Sequence, residues 1–145
     1  MISFDTNLAV YAANSAMPQH GAARQFLESM GPRSDVVVCE LMRVERYLKL
    51  RNAAIFPQPL SGAEAAERCQ SFRRNANWLL VESAPVMDQV WRLASSRDFA
   101  FRRIVDARLA LTLRHHGVHE LSATNEKDFA GFGFRRVWNP LKTLL

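Results

Sequence analysis

Residues 2–13 read Ile2-Ser3-Phe4-Asp5-Thr6-Asn7-Leu8-Ala9-Val10-Tyr11-Ala12-Ala13, and this opening decides the fold. The apolar run up to Phe4 predicts a strand, Asp5-Thr6-Asn7 a turn, and Leu8 to Ala13 a helix. Asp5 then stands at the carboxyl end of a strand. The alternation continues outward. Pro18 begins a helical stretch through Arg24, Phe26, Leu27 and Met30 that Gly31-Pro32 closes. The β-branched Val36 to Val38 form the next strand. From Cys39 to Leu50 the apolar Leu41, Val44 and Leu48, with Met42 and Tyr47, recur at helical spacing, and Glu40 opens that helix.

Farther on, Asn52 to Leu60 carries Pro57 and Pro59 and reads as a loop. Ser61-Gly62-Ala63-Glu64 has the form of a capping box before a helix to about Arg74. Trp78 to Val81 is expected to be a buried strand. Pro85 starts a helix holding Val86, Val90, Trp91 and Leu93, and Arg102 to His116 is a second, strongly apolar one ended by Gly117. His119 to Ala123 predicts a strand running into Thr124-Asn125-Glu126-Lys127-Asp128-Phe129, and Val137-Trp138 a last edge strand before Pro140. Strands alternating with helices argue one α/β domain over residues 1–145, a central parallel sheet covered on both faces. There is no internal repeat, low-complexity segment or linker.

Composition narrows the classes. The chain has 145 residues, 48% hydrophobic and 23% charged, which fits neither a disordered nor a fibrous chain. Its formal net charge is +5 and its pI about 9.9. Only Lys49, Lys127 and Lys142 are lysines, so 16 of the 19 basic residues are arginines. Guanidinium forks suit phosphate, and a polyanionic partner fits this charge, as does a merely Arg-rich proteome. Cys39 and Cys69 lack the spacing of a zinc site and read as two buried thiols. The N-terminus lacks the basic start and apolar run of a signal peptide, and no later stretch suits a membrane span, so the expected location is the cytoplasm.

In a parallel sheet, ligands bind beyond the strands' carboxyl ends, which is where Asp5 and the Asn125 to Asp128 turn fall. Glu40, in the first turn of its helix, and Asp106, in the first turns of the Arg102 to His116 helix, are placed to reach the same edge. Four carboxylates with no sulfur or imidazole among them favour Mg²⁺ or Mn²⁺. Each acid also has a plainer role. Asp5 suits an N-cap, and Glu40 suits a helix start, where negative charge is favourable. Asp106 lies among Leu109, Ala110 and Leu113 on its own face, where a carboxylate is costly unless Arg102 or Arg103 pairs with it. Asn125 and Asp128 resemble a capping box. His115-His116-Gly117 suits a helix C-terminus, and His20 and His119 lack a partner in the sequence. No phosphate-binding glycine loop, nucleophile elbow or redox cysteine pair occurs.

Together Phe4-Asp5-Thr6-Asn7-Leu8, Cys39-Glu40-Leu41-Met42-Arg43, Ile104-Val105-Asp106-Ala107-Arg108-Leu109-Ala110 and Ala123-Thr124-Asn125-Glu126-Lys127-Asp128-Phe129 resemble, in order, the four motif segments of PIN domains. Pro59-Leu60-Ser61, Leu111 to Val118, and Gly131-Phe132-Gly133-Phe134 with Trp138-Asn139-Pro140-Leu141 are similar to one VapC-type subfamily. The resemblance covers nearly the whole chain. It implies a three-layer α/β/α PIN domain and the toxin of a type II toxin-antitoxin system. The implied activity is an endoribonuclease using Mg²⁺ or Mn²⁺ and leaving 5′-phosphate and 3′-hydroxyl ends. A VapB-type antitoxin and a homodimer are the implied partners.

By the same resemblance Asp5, Glu40 and Asp106 match the first three acidic positions. Asp128 is the acid nearest the fourth, where many relatives carry Asp in place of Asn125. Arg43, Arg102, Arg103 and Arg108 are the candidates to track the RNA backbone, and Leu8, Tyr11 and Phe26 the candidates to meet the antitoxin. Two rival readings are a haloacid-dehalogenase-like phosphatase and a non-catalytic PIN-like module that binds RNA or a partner. Asn7 counts against the first, which wants Asp two residues after its nucleophile.

Overall fold

The computed structural model describes residues 1–82 and 84–142. Strand β1 (Ile2–Phe4) leads into helix α1 (Thr6–Ala13) and then α2 (His20–Met30). Next come β2 (Val37–Cys39), α3 (Glu40–Leu50) and α4 (Gly62–Gln70), the last continued by a 3₁₀ turn at Ser71–Arg74. The chain finishes with β3 (Leu79–Val81), α5 (Met87–Ala94), α6 (Arg103–His115), β4 (Glu120–Ser122), a 3₁₀ turn at Glu126–Phe129 and β5 (Arg136–Trp138).

All strand pairs are parallel. β4 lies between β1 and β5, β2 pairs with β3, and a bridge from Ile2 to Val36 joins the two pieces into the order β3-β2-β1-β4-β5. Parallel register, with Phe4 opposite Ser122 and Ser122 opposite Trp138, brings the carboxyl ends to one edge. Of the three inner strands, β1 and β2 are buried at every residue and β4 at Leu121 and Ser122, as a sheet covered on two faces requires. β3 departs from the expected buried strand. Leu79 and Leu80 are exposed and only Val81 is buried, because β3 is the sheet's edge.

α1 packs on α2 and α3, α3 on α4, and α5 on α6, completing the α/β/α layers. Ser61 caps α4 as its sequence predicts, accepting from the Glu64 amide at 3.2 Å, with Glu64 reaching back. Gly117 takes the left-handed φ of 82° that ends α6. Both cysteines are free and buried. His20 and His119 do have partners, the Tyr11 carbonyl at 3.0 Å and Arg114 at 2.9 Å. Among the described residues no helix is long and apolar enough to cross a membrane.

One feature of the packing sets the site. Phe4, Phe72 and Trp78 meet edge to face at 5.4 to 5.9 Å between ring centres. The guanidinium of Arg46, from the middle of α3, lies 4.3 Å over the Phe72 ring and donates to the Arg68 carbonyl at 2.7 Å. Cation–π contact and a charge-assisted hydrogen bond make a buried arginine tolerable here. With Met42 and Leu50, Arg46 fixes which face of α3 turns inward. Val44 and Leu48, which the apolar spacing singles out, are exposed instead.

Candidate active site

Asp5 directly follows β1, and its amide donates to the Ser122 carbonyl at 2.7 Å, which ties it to the end of β4. It holds the N-cap position of α1, yet its carboxylate makes no capping hydrogen bond. The residue is only 6% exposed. Asp106 stands in the first turn of α6 and forms no ion pair among the described residues. Asp128 lies in the turn after β4, held by Asn125 Nδ2, which donates to its Oδ2 at 2.9 Å. Arg103 Nη2 donates to the Asp128 carbonyl at 3.2 Å and so fastens this turn to α6.

A fourth acid joins them that the sequence reading missed. Glu45, half-buried on α3, has an Oε1 that is buried without a hydrogen-bond partner. Burial first, then the charges of Asp5 and Asp106, push its carboxyl up to about 7 against the pull of Lys49. Burial likewise raises Asp5 to about 6, with Asp106 adding to the rise and Lys49 and the backbone amides of Thr6 and Asn7 opposing it. Asp106 is raised by burial and by Asp128, while Lys49 and Arg103 pull it down. Asp5, Glu45 and Asp106 therefore feel one another's charge, and Asp106 that of Asp128 as well, as groups sharing a small site do.

Glu40 lies elsewhere. Its carboxylate pairs with Arg43 at 2.8 Å and with Arg73 at 3.5 Å, on a face it shares with Ala66, Cys69 and Gln70. Five residues along a helix turn a side chain by about 140°, so Glu40 and Glu45 cannot serve the same edge. With Arg46 fixing the rotation of α3, Glu45 takes the inward position. The structure therefore does not bring Glu40, expected in the acid set, to the other acids, and Arg43, expected as an RNA contact, is buried and paired with it. The signal that identifies Glu45 is its i, i+4 relation to Lys49, an acid–base pair on one helix face. Leu8, a candidate antitoxin contact, is fully buried in the core.

Lys49 Nζ donates to Asn7 Oδ1 at 2.7 Å, Asn7 Nδ2 donates to Asn125 Oδ1 at 3.3 Å, and Asn125 passes the chain on to Asp128. Among the described residues no three His, Cys, Asp or Glu side chains stand close enough to grip one ion as they are. The four acids are neighbours at Coulomb range rather than a closed cage. The donor set is nevertheless all oxygen, and the orphaned Glu45 oxygen is the kind of group a cation satisfies. Arg102 and Arg108 are exposed, and a cleft of about 350 Å³ lined by Thr124, Asn125, Glu126, Lys127, Asp128 and Lys142 borders the site.

Comparison with known proteins agrees on one family. Two relatives, each named Ribonuclease VapC24 and from different strains of Mycobacterium tuberculosis, are 54% identical over 141 residues. The match spans 97% of this chain and 97% of each relative. Among solved structures, the Mycobacterium tuberculosis VapC20 toxin, described as sarcin-ricin loop cleaving, superposes with a TM-score of 0.65 at 17% identity. That likeness covers 92% of this chain and 96% of VapC20, and it bears on the fold. No family model matches the chain.

Proposed function

The chain belongs to the VapC family of PIN-domain endoribonucleases, and on that premise we propose that its activity depends on Mg²⁺ or Mn²⁺ bound at Asp5, Glu45, Asp106 and Asp128. Glu45 is the observation that carries this reading. A half-buried carboxylate with a partnerless oxygen, set between two further acids, is costly unless a cation belongs there. Open spacing is compatible with such an ion, because Mg²⁺ keeps several waters and takes only one or two carboxylates directly. When bound, the ion would supply a water of lowered pKa and neutralise charge developing on a phosphodiester.

The protein's own groups do the rest. Asp5 and Asp106 are the direct ligands in this reading, fixed by the end of β1 and the start of α6. Glu45 Oε1, on a carboxyl that titrates near 7, accepts a hydrogen bond from the attacking water or binds the ion. Asp128 contributes through water, with Asn125 and Arg103 holding its turn. Arg102, Arg108 and Lys127 are the exposed cations available to phosphates on either side of the cut, with Lys142, exposed but paired with Glu126 at 2.9 Å, beside them. Arg103 acts on the protein rather than on RNA, being engaged with Asp128 and with the Phe132 ring at 5.4 Å.

A VapB-type antitoxin is the proposed partner, and the exposed apolar residues give it a place. Trp91 and Leu93 on α5, Phe101 before α6 and Val105 on it are all exposed, beside a groove lined by Leu41, Met87, Ile104, Val105 and Arg108. An apolar helix fits such a groove. A homodimer is also proposed, its apolar contact supplied by Val44 and Leu48 one turn apart on α3. The phosphatase reading has no support among the relatives, and the intact acid cluster argues against a non-catalytic module. The test is cleavage of total RNA with Mg²⁺, with chelator and with metal restored, reading the 5′ ends of the fragments. Cleavage that persists undiminished in excess chelator overturns the metal assignment. Copurification with the product of an adjacent short reading frame, lost in Val105→Asp, tests the antitoxin face.

A further inference from the structure

We propose that Lys49 is a tethered counter-cation of the acid cluster, which holds the metal-free site together through Asn7 and which a divalent ion must displace. The inference rests on the metal reading above. Three observations carry it. Lys49 Nζ is fixed by its 2.7 Å hydrogen bond to Asn7 Oδ1, and that amide starts the chain through Asn125 to Asp128. It sits one helical turn after Glu45 on the face that Arg46 turns inward, and it is half-buried, where a lysine is uncommon without a charge to meet. It is also the basic group whose charge favours the ionised form of Asp5, Glu45 and Asp106 alike, against the burial that disfavours it.

The chemistry of the side chain suits displacement. An ammonium is a compact charge on a flexible stem, so it can swing out when a stronger cation arrives, whereas a planar guanidinium is held by its fork. Arg103 illustrates the contrast, engaged at both the Asp128 carbonyl and the Phe132 ring. One ammonium offsets only part of the charge of four carboxylates, so the site stays attractive to a divalent ion. What Lys49 changes is the balance. It lowers the repulsion in the metal-free protein and by the same amount weakens metal binding.

The test is calorimetric titration of the whole protein with Mn²⁺ at pH 7.5, comparing wild type, Lys49→Met and Lys49→Arg, with melting in chelator alongside. Lys49→Met is expected to melt lower in chelator and to bind Mn²⁺ about tenfold more tightly, as removal of one nearby charge in a half-buried site implies. Lys49→Arg keeps the charge and is held by its fork, so it should bind Mn²⁺ no more tightly than wild type. A merely structural lysine would lower the melting point without tightening Mn²⁺ binding, so unchanged or weaker binding in Lys49→Met overturns the proposal.

Should Lys49→Met fail to fold in chelator, the wild-type protein supplies the same answer. With only three lysines to follow, reductive methylation read by mass spectrometry should rise several-fold at Lys49 when Mg²⁺ is added, with less change at Lys127 and Lys142. Equal or slower methylation of Lys49 in Mg²⁺ overturns displacement. Wild type that binds no Mn²⁺ at all overturns the metal reading as well, which separates the two failures.

Discussion

Replacing Asp5 by Asn tests the electrostatics of the site and its chemistry in one variant. Asp5 is 6% exposed, and its carboxyl ionises near 6 where an aspartate ordinarily ionises near 3.8. Because the folded pKa is the higher one, the folded chain binds the extra proton between those two values, and stability falls as pH rises through that window. Above about pH 6 the full deficit is present, roughly 3 kcal/mol at 1.36 kcal/mol per pKa unit. Asn resembles the protonated carboxyl, so Asp5→Asn should be more stable than wild type in chelator by up to about 3 kcal/mol at pH 8, and by about half that at pH 5. For a chain of this length the pH 8 gain is roughly 5 to 10 °C in melting temperature. RNA cleavage should meanwhile be almost abolished. Thermal unfolding at the two pH values, with a cleavage assay beside it, decides the matter. A gain of equal size at both pH values, or none at pH 8, would refute the electrostatic argument, and wild-type cleavage would make Asp5 a structural acid.

Protons should compete with metal, because Asp5 and Glu45 titrate near 6 and 7. Mn²⁺ affinity is expected to be weaker at pH 5.5 than at pH 8 by on the order of tenfold or more, and calorimetry giving a flat profile would contradict it. Asp128→Ala should raise the Mg²⁺ needed for half-maximal cleavage and be partly rescued at high Mg²⁺. Wild-type Mg²⁺ dependence in that variant, with severe loss in Asn125→Ala, would move the fourth ligand to Asn125. Glu40→Ala should destabilise the protein by about 2 kcal/mol in denaturant melts, since it leaves the buried Arg43 without its ion pair.

Much of the fold is legible locally. β1, α1 and the Ser61 cap follow from apolar runs, a turn and a capping box, and Asp5 and Asp106 stand out because carboxylates at a strand end or among leucines demand a reason. The parallel direction of the strands also follows from alternation, since parallel strands need helical crossovers. α3 resists the same treatment. Its apolar residues Val44 and Leu48 face outward, while Arg43 is buried beside Glu40 one turn back and Arg46 is buried against partners far along the chain, Phe72 and the Arg68 carbonyl. Hydropathy alone picks the wrong face and so does not point to Glu45, while Glu40 draws notice only by opening the helix and by its place in the motif. Trp78 to Val81 fails for a related reason, because an apolar strand does not say whether it is the edge. Both errors concern tertiary partners, which the spacing of residues within one segment cannot supply.

The central claim is that Glu45, not Glu40, completes a metal-dependent acid cluster with Asp5 and Asp106. Its most direct test is RNA cleavage by Glu45→Gln and Glu40→Gln, each shown to be folded, at saturating Mg²⁺ and in chelator. The account predicts that Glu45→Gln loses nearly all Mg²⁺-dependent cleavage while Glu40→Gln cleaves at close to the wild-type rate. Loss of cleavage in Glu40→Gln with Glu45→Gln active would contradict it.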